Sequence, residues 1–289
     1  MSCQSATSPI DIIQSNTEKC DLKCSVTFNY KTTSVRAENK GDFIRLGFDS
    51  DMSPPVIYNT QKYNVQEARI YQPSLHTYGG NHTLGEILIV HQNQSMNDTL
   101  IVCIPITETG NSSGVLDNIL NQISQKANTK GGITNISGNT FSLKQLVPQR
   151  PFYSYTGTLP YSPCNGKSDY IVFGKQDAIS ILNSTIINIK QIINASNYTT
   201  RKPIGGLFYN SSGPGKGGVD GDDIYIECSP TGEEGNVLIK KPKNSYDSTY
   251  SDVWEKLKNN GVLIIIAALI ILFIIVKIFD NVISKLSEK

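Results

Sequence analysis

The sequence predicts a β-rich α+β domain followed by one C-terminal transmembrane helix. Short apolar or alternating runs bounded by Gly, Pro, Asn and Asp dominate the first 213 residues, whereas segments with helical periodicity are few. A long run without charged side chains follows near the C-terminus. The chain has 289 residues, of which 38% are hydrophobic, and this is enough for a sizeable core in one large domain or two small ones.

The strand-like runs share a length of six to nine residues and a high content of β-branched and aromatic residues. They are DFIRLGF (42–48), EARIYQ (67–72), EILIVH (86–91), DTLIVCIPI (98–106) and DYIVFG (169–174). Two segments have helical spacing instead. Residues 115–126 place Val115, Ile119, Leu120 and Ile123 on one face, and residues 183–193 show a weaker stripe.

The end of the chain divides into three parts. Residues 214–260 open with the turn-rich GPGKGGVDGDD and are predicted to be an extension with a polar stalk. Residues 261–279 are predicted to span a membrane, because 262–279 provide 18 residues whose single charge, Lys277, can reach the headgroups. A buried core helix is the alternative, but such helices usually keep a polar stripe. Residues 280–289 form a short tail. With no secretory signal at the start, we expect a tail-anchored protein whose orientation the flanking lysines leave undecided.

Charge and cysteine content limit the function classes. A net charge of +1 excludes a globally basic nucleic-acid-binding protein, although residues 1–213 are mildly basic, with 17 Lys and Arg against 14 Asp and Glu. Cys103 lies in an apolar run and is predicted to be a core residue, whereas spacing alone assigns no partners to Cys20, Cys24 and Cys228. Nine Asn-x-Ser/Thr sequons occur. They would suggest a glycan coat in a secreted protein, but the abundance of Asn, Ser and Thr accounts for them.

Four collinear motifs carry a family resemblance. They are SPIDI (8–12), HTYGGNHTLGEILIVHQN (76–93), YTGTLPYSP (155–163) and RKP (201–203). In this order they resemble the motifs of α-carbonic anhydrases over about residues 3–210. The resemblance implies an α-carbonic anhydrase-like fold, with a large, twisted, mostly antiparallel central sheet and few helices.

The zinc-binding pattern of that family is where the sequence departs from it. The positions of the three histidine ligands fall on Arg69, Tyr71 and Leu88. A guanidinium only donates hydrogen bonds and leucine has no lone pair, so these positions cannot form the family's zinc site. The groups that orient the zinc-bound hydroxide fall on Pro160 and Leu75. We therefore expect a pseudoenzyme with no catalytic residues, no bound metal and no cofactor.

The three histidines of the chain do not replace the missing ligands. His76 falls on a position that the family uses for a buried, hydrogen-bonded histidine. His82 lies in a glycine-rich turn, and His91 has the opposite strand parity to Glu86 and Leu88. His76 is therefore predicted to be structural, and His82 and His91 are predicted to have unremarkable roles.

A carbonic anhydrase-like domain without zinc ligands, followed by a stalk and a C-terminal anchor, is similar to the cell-surface-binding envelope proteins of poxviruses and other large DNA viruses. This resemblance implies a virion membrane protein, with its large domain outside the particle, that binds host cell-surface sulfated glycosaminoglycan for attachment. The cations predicted to contact the glycan are Lys40, Arg45, Arg69, Arg201 and Lys202. Asp42 and Asp49 stand where those relatives are basic.

Three alternatives remain open at the sequence level. The cations could be ordinary solvated charges, and Arg69 could fill the emptied pocket and pair with Glu86 or Glu67. The chain could be a structural virion membrane protein that contacts other proteins, and a homo-oligomer is compatible with either role. An active zinc carbonic anhydrase is the third alternative, and it would need a zinc site that the sequence does not supply. The family resemblance finally implies a disulfide between Cys3 and Cys164.

Overall fold

A mixed β-sheet forms the framework of the domain. The computed structural model describes residues 3, 6–20, 24–49, 53–93, 98–108, 114–136, 141–164, 166–215 and 277. All of these except Lys277 belong to one compact unit, Met1–Val219, and Lys277 belongs to a second unit, Asp220–Lys289.

Within the described residues there are 16 strands and two α-helices. The strands are β1 (Asp11–Ile12), β2 (Thr17–Lys19), β3 (Val26–Phe28), β4 (Val35–Asn39), β5 (Ile44–Phe48), β6 (Val56–Tyr58), β7 (Gln61–Tyr71), β8 (Thr77–Tyr78), β9 (Asn81–His82), β10 (Gly85–Gln92), β11 (Thr99–Glu108), β12 (Ile133–Asn135), β13 (Phe152–Thr158), β14 (Lys167–Phe173), β15 (Ile179–Ile181) and β16 (Ile204–Asn210). The helices are α1 (Val115–Lys126) and α2 (Asn183–Ile192). All five predicted strand runs and both predicted helices are confirmed.

Thirteen of the described strands form one sheet, whose main path runs β12-β4-β5-β7-β10-β11-β14-β13-β16-β2. Most neighbours are antiparallel, and the parallel pairs are β11 with β14, β11 with β15, and β16 with β2. A second sheet contains β1, β8 and β9. The sequence-based prediction of a large central sheet with few helices is thereby confirmed, and the sheet is mixed.

The central strands are buried on both faces, which explains their almost continuous apolar sequences. Because side chains alternate along a strand, Ile87 and Ile89 of β10 enter one core, whereas Leu88 enters the other. The first core is the larger and includes the buried faces of α1 and α2. The second core lies on the opposite face of the sheet and is rich in tyrosine.

The two helices are joined by a buried carboxylate. Asp117 of α1 is 3% exposed, and its Oδ1 accepts hydrogen bonds from the Leu182 amide (2.9 Å) and the Thr185 hydroxyl (2.6 Å) at the start of α2. A negative group at this place satisfies amides that the helix itself leaves unpaired and interacts favourably with the helix dipole. Asp117 therefore fixes where α2 begins relative to α1.

Two disulfides tie down the N-terminal region. Cys3 and Cys164 are bonded across a sequence separation of 161, which confirms the pairing that the family resemblance implies. Cys20 and Cys24, to which spacing assigned no partners, are bonded to each other. Cys103 is buried and unpaired, in agreement with its predicted place in the core.

Several predictions concern residues that the structure does not describe. The transmembrane span 261–279, the tail 280–289 and Cys228 lie outside the described residues, apart from Lys277. No helix among the described residues is long and apolar enough to cross a membrane. The predicted boundary at residue 213 lies close to the end of the described domain, where Gly215 still pairs with Thr27.

Buried His91 gives the domain a predictable pH dependence. Its imidazole is 0% exposed, its Nδ1 donates to the Leu100 carbonyl (3.2 Å), and its Nε2 accepts from the Tyr30 hydroxyl (2.9 Å). Burial lowers the pKa of His91 from 6.5 to about 4. Between these pH values the His91 imidazole therefore binds a proton in the unfolded chain but not in the folded chain.

We expect the free energy of unfolding to fall by about 3 kcal/mol as the pH falls from 6.5 to 4, through His91 alone. Urea unfolding of the wild type and of His91→Gln at both pH values measures this change, because glutamine does not titrate. His82→Gln, at an exposed position, is the matched control. Equal pH slopes in the wild type and His91→Gln would contradict the assignment.

Candidate functional site

A cleft of about 510 Å³ opens above the tyrosine-rich core. Its walls carry four aromatic rings and one cation, and one carboxylate also lines it. These residues are Phe43, Tyr71, Tyr161 and Tyr198, together with Arg69 and Asp42. Two of them, Arg69 and Tyr71, hold positions that the family resemblance assigns to zinc ligands.

Strand β7 places the cation in the cleft. Glu67, Arg69 and Tyr71 lie at every second position, so they share one face, whereas Ala68 and Ile70 between them enter the larger core. Leu88 of β10 lies opposite Arg69 in the strand register and is fully buried in the second core. The three positions assigned to zinc ligands are thus brought together on one face of the sheet.

The Arg69 guanidinium is held by aromatic rings and by one carboxylate. Its central carbon lies 3.6 Å from the centroid of the Tyr161 ring and 4.9 Å from that of Phe43. Its Nε donates to Glu67 Oε1 at 2.5 Å, and the side chain is 18% exposed. Of the two carboxylates considered from the sequence, Glu67 is the one that pairs with Arg69.

Glu67 serves two cations. Its other oxygen, Oε2, accepts a hydrogen bond from Arg45 of β5, which lies opposite Arg69 in the strand register. Burial by itself raises the pKa of Glu67, but the hydrogen bonds and positive charges of Arg45 and Arg69 lower it below the usual value. Two like charges directly opposite in a sheet repel each other, and this shared carboxylate reduces that repulsion.

The ion pairs extend towards the surface. Glu38 of β4 lies opposite Arg45, with 4.0 Å between Glu38 Oε2 and Arg45 Nη1, and its Oε1 is 2.6 Å from Lys40 Nζ. Lys40, Arg45 and Arg69 therefore form one row with Glu38 and Glu67 between them. We call these five residues the charged row. Three cations and two carboxylates leave one net positive charge.

The other two predicted glycan-binding cations lie on a different segment. Arg201 and Lys202 are exposed, and Arg201 is tied to the N-terminal strand region by a backbone hydrogen bond to the Pro9 carbonyl (2.7 Å). Within the described residues, no ion pair joins them to the charged row. The sequence-based set thus separates into the charged row and this exposed pair.

Two phenol groups in the cleft lack hydrogen-bond partners. Tyr71 is 1% exposed and Tyr161 is 8% exposed, and neither hydroxyl oxygen has a partner among the described residues. Tyr71 lies near enough to Arg69 and Tyr198 for these groups to influence its pKa, but none of these contacts has the geometry of a hydrogen bond. Burial, which outweighs the opposing effect of Arg69, raises the pKa of Tyr161 to about 12. Tyr161 is therefore a neutral donor at physiological pH.

Beneath the cleft, a second carboxylate is completely satisfied. Glu86 is 0% exposed, and its Oε2 accepts from the backbone amides of Leu75 (2.8 Å) and His76 (3.0 Å). Its Oε1 lies 2.7 Å from His76 Nδ1, and His76 Nε2 lies 2.7 Å from the Tyr155 hydroxyl. All these groups are satisfied when the imidazole carries its proton on Nδ1 and accepts from Tyr155. This network agrees with the predicted structural role of His76.

One group of side chains could in principle ligate a metal. His76, Glu86 and Cys103 bring ligand atoms within 4.8 Å of one another. However, both nitrogens of His76 are already engaged in hydrogen bonds, and burial raises the pKa of the Cys103 thiol, which favours the neutral form over the thiolate that a metal requires. These residues thus fit a hydrogen-bond network better than a metal site.

The remaining histidines lie apart from the cleft, as their sequence positions predict. His91 packs in the larger core against Tyr30 on the opposite face of the sheet from Leu88. His82 is exposed, and its Nδ1 lies 2.7 Å from the Ser74 carbonyl. No histidine or cysteine is among the described residues that line the cleft.

Comparison with known proteins identifies the family. A family model described as eukaryotic-type carbonic anhydrase matches residues 2–208. The chain therefore belongs to the carbonic anhydrase family, and the fold implied by the four sequence motifs is confirmed. The predicted loss of the zinc ligands and the relation to viral envelope proteins stay predictions.

Curated relatives are distant and longer than the matched segment. The chain is 23% identical over 168 residues to Alpha carbonic anhydrase 7 of Arabidopsis thaliana, covering 58% of this chain and 60% of the relative. It is 27% identical over 159 residues to Carbonic anhydrase 12 of Homo sapiens, covering 49% of this chain and 44% of the relative. The chain thus spans about half the length of the curated relatives it matches.

Solved structures show the same fold at low identity. Dioscorin complexed with ascorbate superposes with a TM-score of 0.61 at 19% identity, covering 72% of this chain and 87% of dioscorin. A hyperthermostable carbonic anhydrase identified from an active hydrothermal vent chimney gives a TM-score of 0.61 at 16% identity, covering 72% and 89%. At these identities the likeness concerns the fold alone.

The buried hydrogen bond between Tyr155 and His76 should contribute to the stability of the domain. Tyr155→Phe removes the donor to His76 Nε2 and leaves a buried acceptor unsatisfied, so we expect a loss of about 1–3 kcal/mol in the free energy of unfolding. Urea unfolding measures the change. Tyr153→Phe, in the same strand and core, is the control with an expected loss of less than about 1 kcal/mol. Equal losses in the two variants would argue against the His76–Tyr155 hydrogen bond.

Proposed function

We propose that this chain is a catalytically inactive carbonic anhydrase-like protein that binds sulfated glycosaminoglycan on host cells. In this proposal it is held in the virion membrane by the segment 261–279, with the large domain outside the particle. The order of domain, stalk, apolar segment and short tail supports this placement, through its similarity to the viral envelope proteins. The observation that supports the proposed loss of catalysis is the Arg69 guanidinium, which lies in the cleft at a position that the family resemblance assigns to a zinc ligand.

The chemistry of the cleft argues against zinc-dependent hydration. A guanidinium carries a permanent positive charge and offers only donors, so it repels a dication and cannot ligate it. Leu88 offers no lone pair, and burial, as the largest effect, raises the pKa of Tyr71, so its hydroxyl stays neutral. Carbonic anhydrase chemistry needs a metal-bound hydroxide, and these side chains do not fit the ion that would supply it.

The cations of the domain support binding of a polyanion. Lys40 and Arg45 have side chains that are 40% exposed, and Arg201 and Lys202 are exposed as well. Exposed ion pairs such as Lys40 with Glu38 contribute only about 0–1 kcal/mol, so the sulfates of a glycosaminoglycan can compete for these cations. Several charge-assisted contacts then add together along the chain of the glycan.

Metal analysis tests the catalytic part of the proposal. We expect the full-length protein, purified with zinc present, to retain much less than one zinc per chain, and carbon dioxide hydration to proceed at the uncatalysed rate. An active carbonic anhydrase handled in the same way is the control. Stoichiometric zinc together with measurable hydration would overturn the proposal.

Salt-dependent retention on heparin tests the binding part. Arg45→Gln removes one exposed cation and should weaken binding about fivefold, equivalent to about 1 kcal/mol, so that elution needs less salt. Asp42→Asn removes a negative charge beside the cleft and should shift elution to higher salt.

The matched control is Lys62→Gln, at an exposed position on β7 outside the predicted set, for which we expect little change. Elution of the wild type below physiological salt would reject glycan attachment. That outcome would favour the second candidate, a structural membrane protein that contacts its neighbours.

A further inference from the structure

We infer that the cleft beside Arg69 binds one oxyanion, a sulfate or carboxylate carried on a sugar ring, with Arg69, Tyr71 and Tyr161 as its donors. This inference deepens the proposed function and rests on it for the sugar that carries the anion. It assigns to the cleft a task different from that of the exposed cations, which contact the glycan along its length.

The charge of Arg69 is incompletely balanced by its paired carboxylate, Glu67. Glu67 pairs with both Arg45 and Arg69, so one carboxylate serves two guanidinium groups. Arg45 is 40% exposed and is screened by water, whereas Arg69 is 18% exposed and lies between aromatic rings. A partly buried cation that shares its counter-ion with another cation favours a second anion at its free edge.

The geometry of Arg69 leaves that edge available. Its Nε is engaged with Glu67 Oε1, and the face of the guanidinium stacks on Tyr161. Stacking uses the face of the guanidinium but not its in-plane N–H groups, which are the donors that match carboxylate and sulfate oxygens. Among the described residues, the ion pair of Arg69 is with Glu67 and is made through Nε.

The two hydroxyls give independent support. In the part of the chain that the structure describes, five buried side-chain oxygens lack a hydrogen-bond partner, and two of them are Tyr71 Oη and Tyr161 Oη on the walls of this cleft. Burying a hydroxyl without a partner is costly, and such groups in folded proteins call for an explanation. An oxyanion accepts hydrogen bonds from both hydroxyls and from Arg69 and thereby supplies the missing partner.

The size and walls of the cleft indicate what carries the anion. Its volume of about 510 Å³ exceeds that of a bare sulfate and suits a sugar unit. Phe43 and Tyr198 provide apolar ring surface against which a sugar can pack, and the exposed Asn197 adds an amide. Asp42 lines the same cleft, but its Oδ1 accepts from Asn194 Nδ2 at 3.0 Å, which partly neutralises its field.

The test measures binding of two probes to the full-length chain in uncharged detergent. The probes are inorganic sulfate and a sulfated heparin disaccharide, with calorimetry as the readout and thermal unfolding alongside it. We expect the wild type to bind both, and to bind the disaccharide more tightly. Tyr161→Phe should weaken each by about tenfold while leaving the stability of the free protein equal or higher, because the lost hydroxyl has no partner there.

Tyr170→Phe is the matched control. The Tyr170 hydroxyl is buried like that of Tyr161, but it bonds to Ser8 Oγ (2.8 Å) and to the Thr158 carbonyl (2.7 Å). This variant should lose stability and keep the affinity for sulfate. Arg69→Gln should abolish binding of both probes, and the fold should survive because Glu67 keeps Arg45 as its partner.

The outcomes separate this inference from the proposed function. If the wild type is retained on heparin but Tyr161→Phe and Arg69→Gln bind sulfate and the disaccharide as the wild type does, the cleft is not the oxyanion site and the exposed cations alone bind the glycan. If sulfate binds in the cleft but heparin retention is absent, the oxyanion site is confirmed and the proposal that a glycosaminoglycan carries the anion is wrong. Destabilisation of Tyr161→Phe without loss of affinity would also overturn the inference.

Discussion

The alternation of side chains on strand β7 is the constraint from which the candidate site follows. Because β7 lies in the middle of a sheet that is covered on both faces, each of its residues must enter one core or the other. Ala68 and Ile70 take the apolar side, and this leaves Glu67, Arg69 and Tyr71 on the face below the cleft. A one-residue slip would bury the guanidinium in the larger core, so the burial of Ala68 and Ile70 also holds Arg69 in place.

A cation in such a place needs compensation, and the sheet supplies it from the same strand. Glu67 lies two residues before Arg69, and the register of β5 brings Arg45 to the other side of the same carboxylate. The pKa of Glu67 is lowered by these two partners despite its burial. This arrangement accommodates a charged side chain within a regular part of the sheet, where Arg69 of β7 pairs in register with Leu88 of β10.

Much of the fold could be predicted because it depends on local patterns. The apolar run in EILIVH and the helical stripe of residues 115–126 are properties of short segments, and both elements lie where those patterns place them. The pairing of Cys3 with Cys164 followed from a family motif. The parallel pairing of β11 with β14 had no local signal, because it joins residues 69 positions apart in the sequence, such as Thr99 and Ser168, through contacts that form only in the folded chain.

The candidate site was predictable in part for the same reason. The family resemblance assigns zinc-ligand positions to Arg69, Tyr71 and Leu88, and the structure brings these three residues together on one face of the sheet. The choice of Glu67 over Glu86 as the partner of Arg69 depends on where each carboxylate finds donors. Glu86 accepts hydrogen bonds from the backbone amides of Leu75 and His76, and no sequence pattern predicts these bonds. Tyr161 follows Pro160, which falls on a position that orients the zinc-bound hydroxide in the family. Only the stacking of Tyr161 on Arg69 reveals its part in the cleft.

The tyrosines of the second core fall into two groups, which differ in the hydrogen bonding of their hydroxyls. Tyr155 and Tyr170 stack with ring centroids 4.4 Å apart, and each hydroxyl is hydrogen-bonded, to His76 in one case and to Ser8 and Thr158 in the other. Tyr71 and Tyr161 are buried to a similar degree, yet their hydroxyls have no partner among the described residues.

Tyrosines of the same core thus occur both with and without a hydrogen-bond partner for the hydroxyl. The two tyrosines whose hydroxyls lack partners among the described residues both line the cleft with Arg69. Since folding alone would favour phenylalanine at an unsatisfied buried position, a hydroxyl kept beside a half-compensated guanidinium is better explained by a ligand than by the fold.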